Sequence, residues 1–160
     1  MHLISLTEVY KDLLLQIPLF YNITLSNRHD FVENLDFNVY EIEKNDVVAR
    51  QNTFCRQLMI LIKGRLRVDS IDSSGNEILI EYIEAPRTFA SPYLFNSEKM
   101  LPATFKSEMD GVLLLAKKES LIELFGDRPH LLKNFLCVVG NCTKCSNVRL
   151  KILSYKNMRS

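Results

Sequence analysis

The middle of the chain has the short apolar runs and glycine-containing turns that are typical of an antiparallel β-sheet. Three runs are rich in aliphatic and β-branched residues: 58–62, 65–71 and 77–83. The turns between them contain Gly64 and Gly75, and glycine adopts the positive φ that tight strand connections need. The pattern therefore predicts a β-meander. The segment 84–92 that follows has no regular hydrophobic period, and we expect it to be irregular.

Strand-like patterns continue on both sides of the meander. Apolar and polar residues alternate over 37–43, and further apolar runs begin at Val47, Ala103 and Val112; such alternation is typical of half-buried strands. Asn45, in the turn before Val47, tolerates the left-handed conformation that glycine usually supplies. About eight strands joined by hairpins predict a mainly β fold with flanking helices, a double-stranded β-helix of the jelly-roll or cupin-like β-roll type.

Both ends of the chain have helical periodicity. Ser5 and Glu8 form a capping-box pattern ahead of an amphipathic run that Pro18 ends, because proline breaks a helix interior. A second short helix is predicted from Ser26. After Lys118 a short helix is followed by a longer one that begins near Pro129, where proline is tolerated in the first turn.

The last helix has an apolar seam at alternating spacings of four and three residues, as in a coiled coil. The seam consists of Leu132, Leu136, Val139, Thr143, Ser146, Leu150 and Leu153. Nothing in its own domain is expected to cover this seam, so the pattern predicts a homodimer formed through the C-terminal helix. We expect two parts, a roll with its N-terminal helices over 1–126 and a dimerisation helix over 127–160.

Composition narrows the class of protein. The chain has 160 residues, 47% hydrophobic content and a net charge of +1, which favours one core of ordinary size and no broad nucleic-acid or anionic-membrane surface. No apolar run approaches the roughly 18 to 20 residues that a membrane helix needs. A soluble, cytoplasmic protein without membrane contact is predicted.

The central pattern resembles a known family. Ile62, Lys63 and Gly64, then Val68, then 75–83 look like the glycine-hairpin core of the cyclic-nucleotide-binding β-roll of Crp/Fnr transcription regulators, in which the two glycines also stand eleven residues apart. The N-terminal helix, followed by Leu19 and Phe20 before the roll, is similar to the opening of the same effector domains.

The C-terminal segment 148–160 resembles the end of the Crp/Fnr dimer helix and the start of a winged helix-turn-helix domain. The resemblance implies an effector-sensing and dimerisation fragment whose parent protein binds DNA only through a C-terminal domain that is missing here. The alternative is a natural stand-alone roll. Function as a sensor of an unknown small-molecule effector, and not as an enzyme, is the expectation.

In nucleotide-binding relatives a phosphate-binding cassette follows the third hairpin. The register from Phe95 places Ala90 and Ser91 at the family's glycine and ribose-binding glutamate, and Leu101 and Pro102 at its phosphate-binding arginine and its serine. A buried phosphate without a cation is an uncompensated charge, which costs on the order of 3 to 5 kcal/mol. The resemblance therefore implies that cAMP is not the effector.

The cassette supplies the candidate effector-pocket residues: Arg87, Phe89, Ala90, Ser91, Pro92, Leu101, Pro102, Ala103 and Thr104. Arg87 or Lys99 is able to replace the missing charge, although both residue types are mostly solvated. Two alternatives remain open. The pocket takes a more hydrophobic effector, such as a haem or a lipid-like molecule, or its own side chains fill it.

Candidate cofactor ligands are few. The sequence has no His-x-His pair, so a metal site and a cupin-like enzyme are disfavoured. Three cysteines, Cys137, Cys142 and Cys145, have spacing that resembles part of a ferredoxin cluster motif; a redox pair and packing in the dimer seam are the alternatives. No cofactor is predicted. The alternative function is a haem-based or thiol-based sensor of redox or nitrosative stress, which would contain haem or an iron–sulfur cluster.

Overall fold

The computed structural model describes residues 1–21 and 35–140. Within them, nine strands form two antiparallel sheets, with the orders β1-β2-β9-β4-β7 and β3-β8-β5-β6. The strands are β1 His2–Ile4, β2 Phe37–Ile42, β3 Val47–Ala49, β4 Gln57–Lys63, β5 Arg65–Ile71, β6 Glu77–Glu84, β7 Arg87–Phe89, β8 Thr104–Ser107 and β9 Gly111–Lys117. The predicted double-sheet β-roll is confirmed.

The predicted turns have the backbone conformations that their residues favour. Gly64 and Gly75 have φ of 110° and 86°, and Asn45 has φ of 76°, all in the left-handed region. Gly111 serves a different purpose, because a Cβ at this position would overlap the carbonyl oxygen of Lys63. The close approach of these two chain segments fixes where β4 turns into β5.

Two local predictions were wrong, and one short strand was missed. The segment 84–92 is not irregular throughout, because β7 pairs with β4 from Met59 to Leu61. Residues 2–4, for which no strand was predicted, pair with β2. The N-terminal helix is capped by Thr7, whose hydroxyl accepts a hydrogen bond from the Tyr10 amide (3.3 Å), and not by Ser5. Strands of three residues are too short for a sequence period to reveal them.

The helices close the ends of the roll. Helix α1 is Glu8–Leu14 and α2 is Lys118–Asp127, with single 3₁₀ turns at Pro18–Phe20 and Ser91–Tyr93. A further helix, α3, includes residues 129–140. The second short helix predicted from Ser26 lies outside the described residues. None of the helices in the described part is long and apolar enough to cross a membrane.

Helix α3 packs one of its faces on the roll. Leu131, Phe135 and Val138 are buried in the same core as Leu19 and Phe20. Between them Asn134, also buried, donates from Nδ2 to the carbonyl oxygens of Leu19 (3.0 Å) and Tyr21 (2.7 Å). Because buried polar groups need partners, this side chain fixes the start of α3 to the N-terminal segment.

The predicted seam lies on a different face of α3. Leu132 and Leu136 are 39% and 60% exposed, and Val139 is half-buried. The remaining seam residues, Thr143, Ser146, Leu150 and Leu153, lie outside the described residues. In the described part of the chain Leu132 is therefore partly exposed and Leu136 more fully so, as a dimer face requires.

Candidate functional site

The cassette begins with a tight turn. Ala90 has a left-handed backbone (φ 57°) and starts the 3₁₀ turn Ser91–Tyr93, in which its carbonyl oxygen accepts a hydrogen bond from the Tyr93 amide (3.1 Å). The resemblance placed Ala90 where the family has glycine. The left-handed conformation explains a glycine at such a position, because a Cβ is unfavourable there by about 1 kcal/mol or more.

Beneath the cassette the space between the sheets holds aromatic and aliphatic side chains. The rings of Phe89 and Phe105 are 5.2 Å apart between centroids. Leu101, which the resemblance predicts to stand at the family's phosphate-binding arginine, is 2% exposed, and Ala103 is equally buried. Of the nine candidate pocket residues, four are buried: Phe89, Ser91, Leu101 and Ala103.

The other five candidates lie nearer the surface. Arg87, Ala90 and Thr104 are half-buried, and Pro92 and Pro102 are exposed. Phe89, Leu101 and Ala103 thus belong to the buried core, and the two prolines lie on the outside.

Neither candidate cation points to a buried anion site. Arg87 Nη2 lies 3.5 Å from Glu81 Oε1, with both side chains 43% exposed. Lys99 is exposed, with Nζ 5.7 Å from the Tyr93 ring. Within residues 1–21 and 35–140 the buried polar side chains are Thr88, Ser91, Ser107 and Asn134, none of which is cationic.

An aromatic cluster connects the cassette to both C-terminal helices. It consists of Phe95 of the cassette loop, Phe125 of α2 and Phe135 of α3. The ring centroid of Phe95 lies 6.5 Å from that of Phe125 and 5.4 Å from that of Phe135, and the last two are 5.3 Å apart. Aromatic pairs at such distances contribute about 0.5–1.5 kcal/mol beyond burial. Sequence reasoning missed this cluster, because the three rings come from separate elements and share no local motif.

A groove lies beside the cassette, where the β3–β4 loop meets Leu101. The Asn52 amide donates to the Leu101 carbonyl oxygen (2.9 Å), and the Leu101 amide donates to that of Thr53 (2.8 Å). The groove has a volume of about 530 Å³ and is lined by Val47, Val48, Ala49, Arg50, Thr53, Phe54, Cys55, Arg56, Gln57, Met59, Leu101 and Leu115. The sequence analysis missed it as well, apart from Leu101.

The cysteines and histidines of the described part do not form a metal site. Cys55 is buried and its Sγ donates to the Gln57 carbonyl oxygen (3.3 Å); burial raises the pKa of its thiol, which is therefore protonated at neutral pH. Cys137 is exposed, whereas Cys142 and Cys145 lie outside the described residues. Across 1–21 and 35–140 there is no group of three or more His, Cys, Asp or Glu that could hold a metal ion. The cluster, redox and haem hypotheses stay predictions.

The two sheets, the cassette and the appended helices together define a β-roll receptor domain. The profile of the cyclic nucleotide-binding domain family matches residues 39–128, more than half of the chain. The chain belongs to this family. No curated protein sequence is significantly similar to it.

Several solved structures with the same fold are transcriptional regulators. A regulator from Thermotoga maritima has a TM-score of 0.70 at 22% identity, over 79% of this chain and 97% of its own. The sensor domain of the transcriptional regulator DNR from Pseudomonas aeruginosa has a TM-score of 0.70 at 18% identity. This match covers 89% of this chain and 92% of that domain.

The catabolite activator protein of Thermus thermophilus has a TM-score of 0.73 at 17% identity. The match covers 86% of this chain and 63% of that protein, so this chain spans less than two thirds of its length. The resemblance to the effector domains of such regulators is confirmed at the level of the fold.

Proposed function

We propose that this chain is the effector-sensing and dimerisation part of a Crp/Fnr-type DNA-binding transcription regulator. We assign sensing to residues 1–126, dimerisation to residues 127–160, and DNA contact to a further domain of the parent protein. The observation that carries the proposal is a family-matched roll joined directly to a helix whose outward face presents Leu132 and Leu136 to solvent.

The effector is not a cyclic nucleotide. At the position that the resemblance assigns to the phosphate-binding cation stands Leu101, 2% exposed, and the space beneath it contains Phe89 and Phe105. Replacing the ion pair by a hydrocarbon leaves a cyclic phosphate uncompensated, at a cost of on the order of 3 to 5 kcal/mol. At about 1.4 kcal/mol per decade, that is roughly two to three and a half decades of affinity.

Signal transfer to the helix requires contacts that differ between two arrangements of roll and helix. The Phe95, Phe125 and Phe135 cluster supports such a coupling, since it is where the cassette loop touches both α2 and α3. A change in the cassette loop that moves Phe95 alters the support of Phe135, and with it the orientation of the dimer face.

Calorimetric titration of the purified chain with cAMP and cGMP tests the effector part of the proposal. We expect no saturable heat at micromolar or submillimolar nucleotide. The double variant Ser91→Glu, Leu101→Arg carries both family anchors. It is titrated alongside the unmodified chain, provided that thermal melting shows it to be folded. Tight, saturable binding of either nucleotide by the unmodified chain would contradict the proposal.

A further inference from the structure

The groove beside Leu101 has an apolar wall and a cationic rim. Val47, Val48, Met59 and Leu115 supply aliphatic and thioether surface. Arg50 and Arg56, both exposed, stand at the two ends of the loop that borders it. Within the described residues, neither arginine has a carboxylate at ion-pair distance.

These two arginines differ from others on the same roll. Arg65, Arg67 and Arg87 each pair with a carboxylate, Glu84 at 3.0 Å, Asp69 at 2.9 Å and Glu81 at 3.5 Å respectively. The groove rim therefore has positive charge that the described part of the chain does not neutralise. A ligand that complements it needs an anionic head group, and the wall behind it favours an apolar body.

The loop that carries the arginines is held in place by the rest of the roll. The Gln51 side chain donates from Nε2 to the Ile71 carbonyl oxygen (3.0 Å) and accepts from the Ile71 amide at Oε1 (2.8 Å). Thr53 Oγ1 donates to the Arg50 carbonyl oxygen (2.6 Å). A loop backbone held by such hydrogen bonds loses less conformational entropy when a ligand binds, which favours affinity.

The volume suits a small molecule. About 530 Å³ falls within the roughly 300–1,000 Å³ of typical small-molecule sites, which are mostly apolar with a few placed polar groups. The guanidinium groups of arginine match carboxylates in a bidentate geometry. A carboxylate on a short aliphatic chain has both properties that the groove requires.

We infer that this groove is a binding site for small aliphatic carboxylates, with Arg50 and Arg56 at the head group and Met59 and Leu115 against the chain. The inference does not depend on the proposed regulatory role, because it concerns binding alone. It also differs from occupation of the cassette interior, since of the nine candidate pocket residues only Leu101 lines the groove.

Calorimetric titration of the full chain with octanoate, kept well below its micellar concentration, tests the inference. We expect saturable binding of one octanoate per chain, and no comparable binding of octan-1-ol or octylamine. Arg50→Gln combined with Arg56→Gln should weaken octanoate binding about tenfold. Ala49→Phe places a ring in the groove from β3 and should abolish octanoate binding.

The matched control is Lys63→Gln, which removes one exposed positive charge from the far end of β4 and should leave binding unchanged. Thermal melting of each variant confirms that it is folded; the arginine variants alter only exposed side chains and keep the test valid if Ala49→Phe does not fold. Absence of saturable binding overturns the inference. The inference is also overturned if octylamine binds as tightly as octanoate, or if the double arginine variant binds octanoate as tightly as the unmodified chain.

Discussion

The interior beneath the cassette and the surface around it differ in how completely the chain's own side chains cover them. Inside, Phe89, Leu101 and Phe105 are all less than a tenth exposed. Outside, the groove beside Leu101 is open and the α3 face at Leu132 and Leu136 is uncovered. The space beneath the cassette is therefore filled by core side chains, whereas the groove and the exposed α3 residues lie outside that core.

Truncating an interior aromatic should have the largest effect on stability. Phe89→Ala removes a buried ring that packs on Phe105, and should lower the free energy of unfolding by about 3–5 kcal/mol. Phe54→Ala at the groove rim, where the ring is 38% exposed, is the control and should change it by about 1 kcal/mol or less. Urea denaturation measures both. Equal losses would mean that interior and surface do not differ as described.

Charges on the uncovered α3 face should break the proposed dimer. Leu132→Lys with Leu136→Lys removes two apolar side chains from each protomer's side of the interface, and should raise the dimer dissociation constant about a hundredfold or more. Analytical ultracentrifugation measures this change. Ile122→Lys on α2, which replaces a similarly exposed side chain, should have no such effect; a monomeric unmodified chain would refute the dimer.

Removing the polar link between α3 and the N-terminal segment should have an intermediate effect. Asn134→Ala leaves the carbonyl oxygens of Leu19 and Tyr21 without this donor, and should lower the free energy of unfolding by about 1–3 kcal/mol. Amide hydrogen exchange should be faster in α3 in particular. Lys133→Ala, exposed on the same helix, is the control. A loss no greater than that of the control would show that the link is dispensable.

The smallest expected effect is a gain in stability from a substitution at the cassette turn. Ala90→Gly relieves a left-handed backbone with φ of 57° and should raise the free energy of unfolding by about 0.5–1 kcal/mol. Ala49→Gly in β3, where the strand conformation suits alanine, should lower it by about the same amount. Thermal melting measures both variants. A lower stability of Ala90→Gly would argue against backbone strain at position 90.

Local patterns were sufficient for most of the fold. The hairpins at Gly64 and Gly75, the turn at Asn45 and the change to helical period after Lys118 were all predictable, because each depends on neighbouring residues and on backbone conformations that few residue types adopt. The family resemblance correctly indicated a cyclic nucleotide-binding domain. It also placed Leu101 at the family's phosphate-binding cation, which stays a prediction.

What the chain order does not reveal is which distant residues meet. The short strands β1 and β7 form only because a longer strand is beside them, and three residues carry too little periodicity to predict. The Phe95, Phe125 and Phe135 cluster, the Asn134 link and the groove with its two arginines each combine side chains from several elements. Local sequence patterns therefore specified most of the elements, and the resemblance predicted a cassette without charged anchors. Only the tertiary structure decided which surfaces are closed and which stay open, because burial is a property of packing between residues far apart in the chain.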